Sequence, residues 1–157
     1  MTQHDWAVLL HLVGVVLMFS GASLAAAAHA GARRRQRPGE IAALLGLTRT
    51  GVVLVATGSI AIVATGLWLI EISEGFFSLG DGWIAGTLGL LLLAFILGAL
   101  GGQRLKRARV LAEGREDGAP IDDIRALVDD TLSLALSYAA ALAIVAGLVI
   151  MVWKPGL

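Results

Sequence analysis

Residues 50–72 read TGVVLVATGSIAIVATGLWLIEI, and the rest of the architecture follows from them. The one ionisable side chain in the stretch is Glu71, at its far end. At ~1.5 Å of rise per residue a helix over this stretch is about 35 Å long. A bilayer's hydrocarbon core is about 30 Å thick. A helix on the surface of a soluble domain carries a polar face, and this one has none. No water reaches backbone N–H and C=O groups in hydrocarbon, so a lone spanning segment must satisfy them internally, as a helix. Gly51, Gly58 and Thr65 recur at intervals of seven, with Gly66 beside them. Repeated small residues of this kind let a second helix approach closely.

Three more stretches have the same character: Trp6 to Ala30, Trp83 to Gly102 and Thr131 to Trp153. The expected fold is all-α, a polytopic four-helix transmembrane bundle with up-down topology. Residues 1–157 form a single integral membrane domain, with spans at about 6–30, 50–72, 83–102 and 131–153. Composition agrees. Of 157 residues 57% are hydrophobic and 15% charged, and the mean hydropathy is +0.84. Those values exclude a disordered chain and an ordinary soluble domain. With no cysteine, a disulfide framework, a thiolate metal site and a thiol nucleophile are excluded too.

Net charge is zero, but the charges are segregated. Arg33, Arg34, Arg35, Arg37 and Arg49 follow the first stretch. Arg104, Lys106, Arg107, Arg109, Arg115 and Arg125 follow the third. Of the twelve basic residues, Lys154 alone falls on the other side. Cytoplasmic loops collect Lys and Arg, so both long loops are expected in the cytoplasm and both termini outside. The first stretch ends in Ala28-His29-Ala30, like a signal-cleavage site. But no positive residue precedes it, and the arginines follow it. A cleaved signal has the opposite polarity, so an uncleaved first span is expected. Trp6, Trp68, Trp83 and Trp153 lie near the outer ends of the four spans as an aromatic belt. Phe76 and Phe77 are expected at the membrane surface. The dominance of Arg over Lys, with abundant Ala and Gly, suggests a bacterial chain, and hence the bacterial cytoplasmic (inner) membrane.

Residues 38–47 are read as an interfacial helix or an extension of the second helix. Residues 103–128 begin as a basic extension of the third helix. They break over Gly114 to Pro120 and resume at Ile121 as an amphipathic lead into the fourth. A weak echo between residues 62–67 and 144–148 is compatible with two related hairpins or with convergent membrane composition.

Helices in lipid associate through close packing and hydrogen bonds. The expected packing positions are Gly14 and Gly21 on the first helix, and Gly51, Gly58 and Gly66 on the second. On the third they are Gly98 and Gly102, and on the fourth Ser133 and Ser137. Gly98-x-x-x-Gly102 also suits a seam with a second copy. No Asp, Glu, Lys or Arg lies at any span's middle and no proline interrupts one, which disfavours an ion-coupled transporter.

The chemistry-bearing residues are on the first helix. His4, His11, Met18 and His29 fall on one face at 100° per residue. A pair such as His11 and His29 is spaced to serve two haems, one per leaflet. The later helices contain no histidine, so haem held by two histidines within one chain is excluded. That leaves Met151 opposite His11, five-coordinate haem, or ligation across a dimer. His11 hydrogen-bonded to Ser, Thr or a carbonyl is the stronger reading of the residue. Glu71, Glu74 and Asp81 are read as solvated helix-end and loop charges rather than a cation site with His4 and His11. Asp129 and Asp130 suit a helix N-terminus. No phosphate loop, dinucleotide fingerprint or nucleophile elbow occurs. The basic loops face anionic headgroups rather than nucleic acid.

The run Trp6-Ala-Val-Leu-Leu-His11-Leu-Val-Gly14, followed by Phe19-Ser-Gly21, resembles the first helix of small bacterial integral membrane proteins with an LH-x-x-G start. In overall form the chain is similar to a family of uncharacterised predicted integral membrane proteins. The likeness runs through four spans, a basic first loop and a terminal MVWKPG at Met151 to Gly156. It implies a fold and no particular activity. Helix one alone also looks like that of HemJ-type protoporphyrinogen oxidases and CopD-type copper-resistance proteins, which implies His11 as a haem-ligand candidate. The leading expectation is an accessory or structural membrane component with no catalytic residue and no cofactor. The alternatives are a haem- or copper-linked redox protein using His11, with haem b as the group, and a small homo-oligomeric pore.

Overall fold

In a computed structural model the chain is all-α. The structure describes residues 2–73 and 75–154, and no strand occurs among them. The helices are α1 (Gln3–Ala32), α2 (Pro38–Glu71), α3 (Gly82–Glu113), α4 (Asp122–Val128) and α5 (Thr131–Trp153). α1, α2, α3 and α5, the last led by α4, are long and apolar enough to cross a membrane. This is the element set of a four-helix membrane bundle.

α2 begins at Pro38, so residues 38–47 are an extension of the second helix and not a separate interfacial one. Proline suits a first helical position, where no N–H partner is needed, and Glu40 complements the helix dipole in the first turn. At 34 and 32 residues, α2 and α3 are roughly 50 Å long. Each outruns the ~30 Å hydrocarbon core, at its basic end. α3 stops at Gly114, and Gly118 turns the chain back with φ +97°, a backbone region that favours glycine. α4 then leads into α5. Asp129 and Asp130 separate it from α5, and the Asp130 carboxylate accepts the Ser133 N–H at 2.8 Å as the α5 N-cap.

The chain forms two compact units. The first comprises Met1–Ala28 with Gly46–Leu79, and the second His29–Leu45 with Gly80–Leu157. In the first, α1 and α2 run antiparallel with their backbones almost touching. In the second, α3 and α5 pack through small residues. Ala94 and Gly101 are buried on α3, as are Ser133, Ala140 and Gly147 on α5, seven apart. Lys154 at the α5 C-terminus lies 5.5 Å from the Trp83 ring centroid, a cation–π contact.

The second unit also holds a core of a kind no span provides. Ala32 ends α1, Ile41 and Leu45 open α2, and Leu105, Ala108 and Ala112 lie on the α3 extension. They enclose Ile121, Ile124 and Val128 of the α4 segment. Ile124 is 0% exposed. This is a hydrophobic core at the basic ends of the helices, and α4 is its lid. The tip of the first hairpin, residues 29–45, thereby belongs to the same unit as α3 and α5.

Candidate functional site

The face of α1 that carries the histidines is its buried seam. Ala7, His11, Gly14, Met18, Gly21 and Ala28 are all buried. Their spacing alternates between four and three up to Gly21 and spans two such steps to Ala28, the a/d pattern of helix packing. His4 continues the face beyond the seam and is exposed.

His11 is 8% exposed. Its Nδ1 lies 3.1 Å from Thr65 Oγ1 of α2. The Thr65 hydroxyl has one proton, which it donates to the Ala61 carbonyl at 2.6 Å. Toward His11 that oxygen can only accept, so Nδ1 carries the ring proton and donates it. Nε2 is then a bare lone pair. It is fully covered and has no hydrogen-bond partner. Gly66 lies beside the ring, where a Cβ would make an ordinary contact with His11 Cε1 at 3.6 Å. Thr65 makes the polar contact.

The remaining packing positions behave differently from one another. A Cβ at Gly14 would meet the Gly58 carbonyl oxygen at 3.0 Å, and one at Gly58 the Gly14 oxygen and the Met18 nitrogen, both at 2.6 Å. A Cβ at Gly21 would come within 2.5 Å of the Gly51 oxygen, and one at Gly51 within 2.6 Å of the Gly21 oxygen. At these four places the two backbones are in contact, close enough for Cα–H···O contacts that only glycine permits. On α3, Gly101 faces α5, where a Cβ would lie 3.1 Å from both the Ser133 oxygen and the Ser137 hydroxyl. A Cβ at Gly98 reaches only Ala140, at 4.0 Å, and at Gly102 it meets nothing within 4 Å. Ser133 is buried, and Ser137 donates its hydroxyl to the Ser133 carbonyl at 2.8 Å. Met151 is half-buried near the end of α5. His11 lies in the first unit and Met151 in the second.

A second constellation lies at the basic ends. His29 Nε2 donates to the Val128 carbonyl at 2.9 Å and so caps the C-terminus of α4. Arg33 Nε donates to Asp129 at 2.7 Å, and Arg104 pairs with Asp130. Arg125 reaches the Arg35 carbonyl at 3.1 Å, while Arg115 grips both oxygens of Asp123 at 2.6 and 2.7 Å. The Asp129–Asp130 break is therefore a latch as well as a cap. The Ser133 N–H, then the Ser133 hydroxyl and the Arg104 charge, hold the Asp130 carboxyl below the usual carboxylate range. The Arg115 guanidinium does the same for Asp123. Both groups contribute stability at neutral pH, and the contribution is lost as pH falls through the lowered values.

At the other ends of the spans, Glu71 is exposed and Glu74 lies outside the described residues. Among the described residues no three His, Cys, Asp or Glu side chains gather in a way that could hold a metal ion. The hydroxyls of Thr48 and Ser59 on α2 are buried without a partner.

Residues 6–155 match the family described as predicted integral membrane protein (DUF2269). No curated protein and no solved structure matches the chain.

Proposed function

The chain belongs to this family of predicted integral membrane proteins, and from that premise we propose that it is a structural or accessory component of a bacterial cytoplasmic membrane. Both termini face outward and the basic helix ends face the cytoplasm. The reading rests on where the uncommitted charge lies. Arg34, Arg37, Arg49, Lys106 and Arg107 are exposed and form no ion pair among the described residues. They flank the inner ends of the apolar spans, where they meet anionic headgroups; each such cation near the surface contributes about 1 kcal/mol. Farther along α3 and past it come Glu113, Glu116, Asp117, Asp122 and Asp123, which an anionic surface repels.

The absence of native cysteine makes the test simple. In intact cells a membrane-impermeant maleimide should label Ser78→Cys directly. It should reach Glu116→Cys only after permeabilisation. The opposite pattern overturns the orientation.

A second reading, a redox protein with a metal group at His11, has its own supporting observation: the bare Nε2. A free ion held by three or four protein donors does not suit a single available nitrogen. His11 would be the residue to hold a metal already enclosed in a macrocycle, which would supply redox chemistry there; in the closed seam its Nε2 is fully covered. Protein purified after growth with haem precursor should then show a Soret band that His11→Ala removes. A colourless wild type removes this reading and leaves His11 as a hydrogen-bonded packing residue.

A further inference from the structure

We propose that residues 113–130 are an acidic lid that competes with anionic phospholipid for the basic ends of the helices, so that the docking of α4 is set by the charge of the membrane beside it. The partner rests on the headgroup reading of those ends given above, and the mechanism on the ion pairs of the second unit.

Charge within that unit is sharply divided. Residues 113–130 carry seven acidic and two basic side chains, whereas residues 33–40 and 104–109 carry eight basic and one acidic. Both groups belong to the second unit, and specific pairs join them. Arg33 donates to Asp129, and Arg104 pairs with Asp130. Arg33 follows the last residue of α1, and Arg104 lies two residues beyond Gly102, where the apolar stretch of α3 ends. Asp129 and Asp130 directly precede Thr131, the first residue of α5. The four groups thus lie at the ends of spans, at the depth of lipid headgroups. A phosphate diester and a carboxylate are alternative partners of a guanidinium, since each accepts charge-assisted N–H···O bonds. Asp129 and Asp130 therefore hold the places that lipid phosphates would take. The Arg33 and Arg104 side chains remain exposed within their pairs, so that exchange is open to them.

An anionic surface acts twice in one direction. It draws the two arginines to phosphate, and within a Debye length of about 8 Å it repels the acidic excess of the lid. α4 has seven residues, too few to stay helical without docking. α5 is insulated from the change, because the two Asp130 oxygens have separate partners. Oδ1 faces Arg104, while Oδ2 accepts the Ser133 N–H at 2.8 Å. Departure of Arg104 leaves that cap in place. The His29 bond to the Val128 carbonyl and the apolar contacts of Ile124 involve no carboxylate, so the lid loosens without being released.

The test is hydrogen exchange of the full-length protein in nanodiscs of phosphatidylcholine alone and of phosphatidylcholine with an equal share of phosphatidylglycerol. Amides of residues 122–128 should exchange about tenfold faster in the mixed discs, the effect of losing two exposed ion pairs. Those of α5 from Ser133 onward should not change. Equal or slower exchange of α4 in the mixed discs overturns the lid. Inorganic phosphate added to the neutral discs at matched ionic strength should leave α4 protected; loosening to the same extent would overturn the membrane as the partner. The double variant Arg33→Gln with Arg104→Gln should exchange in neutral discs as the wild type does in mixed ones, and wild-type protection in that variant overturns the competition. Native mass spectrometry of protein released from the mixed discs should show phosphatidylglycerol retained over phosphatidylcholine. Retention with unchanged exchange overturns the lid and leaves the headgroup reading standing, whereas neither retention nor a change in exchange overturns both.

Discussion

Gly58→Leu should strongly destabilise the first hairpin. The new side chain must leave the backbone at a point 2.6 Å from the Gly14 oxygen and 2.6 Å from the Met18 nitrogen. Neither atom is the end of a flexible side chain, so the whole of α1 must move. Overpacking a core with side chains that can adjust costs about 1–3 kcal/mol; displacing a helix should cost more. At ~2–4 °C of melting temperature per kcal/mol for a chain of this size, thermal unfolding in detergent should occur roughly 10 °C or more below wild type. Gly58→Ala should also be damaging, since the clash begins at Cβ. Gly102→Leu, where a Cβ meets nothing within 4 Å, should melt within about 2 °C of wild type, as substitutions away from close contacts do. Equal melting of Gly58→Leu and Gly102→Leu would sink the claim that backbone contact joins α1 to α2.

The second large effect is expected outside the membrane. Ile124 is the keystone of the core under α4, 0% exposed among residues from four helices. Truncation to alanine should cost about 2–5 kcal/mol, and Ile124→Asp more, because a charge would be enclosed without a partner. The loss should be local. A seven-residue helix does not persist in water by itself, so α4 exists by docking. Hydrogen exchange of Ile124→Asp should show the amides of residues 122–128 exchanging like an open loop while those of α5 stay protected. Wild-type protection of α4 in that variant would mean that the Arg–Asp latch, and not the apolar core, holds the lid.

The sequence made the four spans and their order plain, because hydropathy over some twenty residues is a strong, additive signal that tertiary context does not override. The extents of α2 and α3 were legible in outline: Pro38 marks one boundary and Gly114 the other. The partner of His11 was within reach. Antiparallel alignment of the heptad glycines sets Gly14 against Gly58 and Gly21 against Gly51, and carries His11 to the turn that holds Ala61 and Thr65. What could not be read was rotation about a helix axis. Gly98, Gly101 and Gly102 are equivalent as letters. A four-residue glycine spacing draws attention to the outer two, whereas Gly101 is the one that faces Ser133. Lipid wets every remaining face with apolar side chains, so the periodicity that marks the inward side of a soluble helix is nearly flat. The docking of α4 lay hidden for a different reason. Ile121, Ile124 and Val128 show an apolar face, but only the fold supplies Ile41 and Leu105 to cover it.

The lid over Ile124 makes this a protein folded by two solvents. The seams between its spans hold by contact alone, since lipid tails offer the helices no hydrophobic penalty to escape. The core under α4 is driven by expulsion of water, and carries the large heat capacity that goes with it. Cooling weakens the second and leaves the first nearly untouched. Urea, which acts from the aqueous phase, reaches the lid long before the seams. A denaturant titration of this small chain should therefore show two transitions, the first loosening α4 and the tip of the α1–α2 hairpin while the spanning helices keep their circular dichroism.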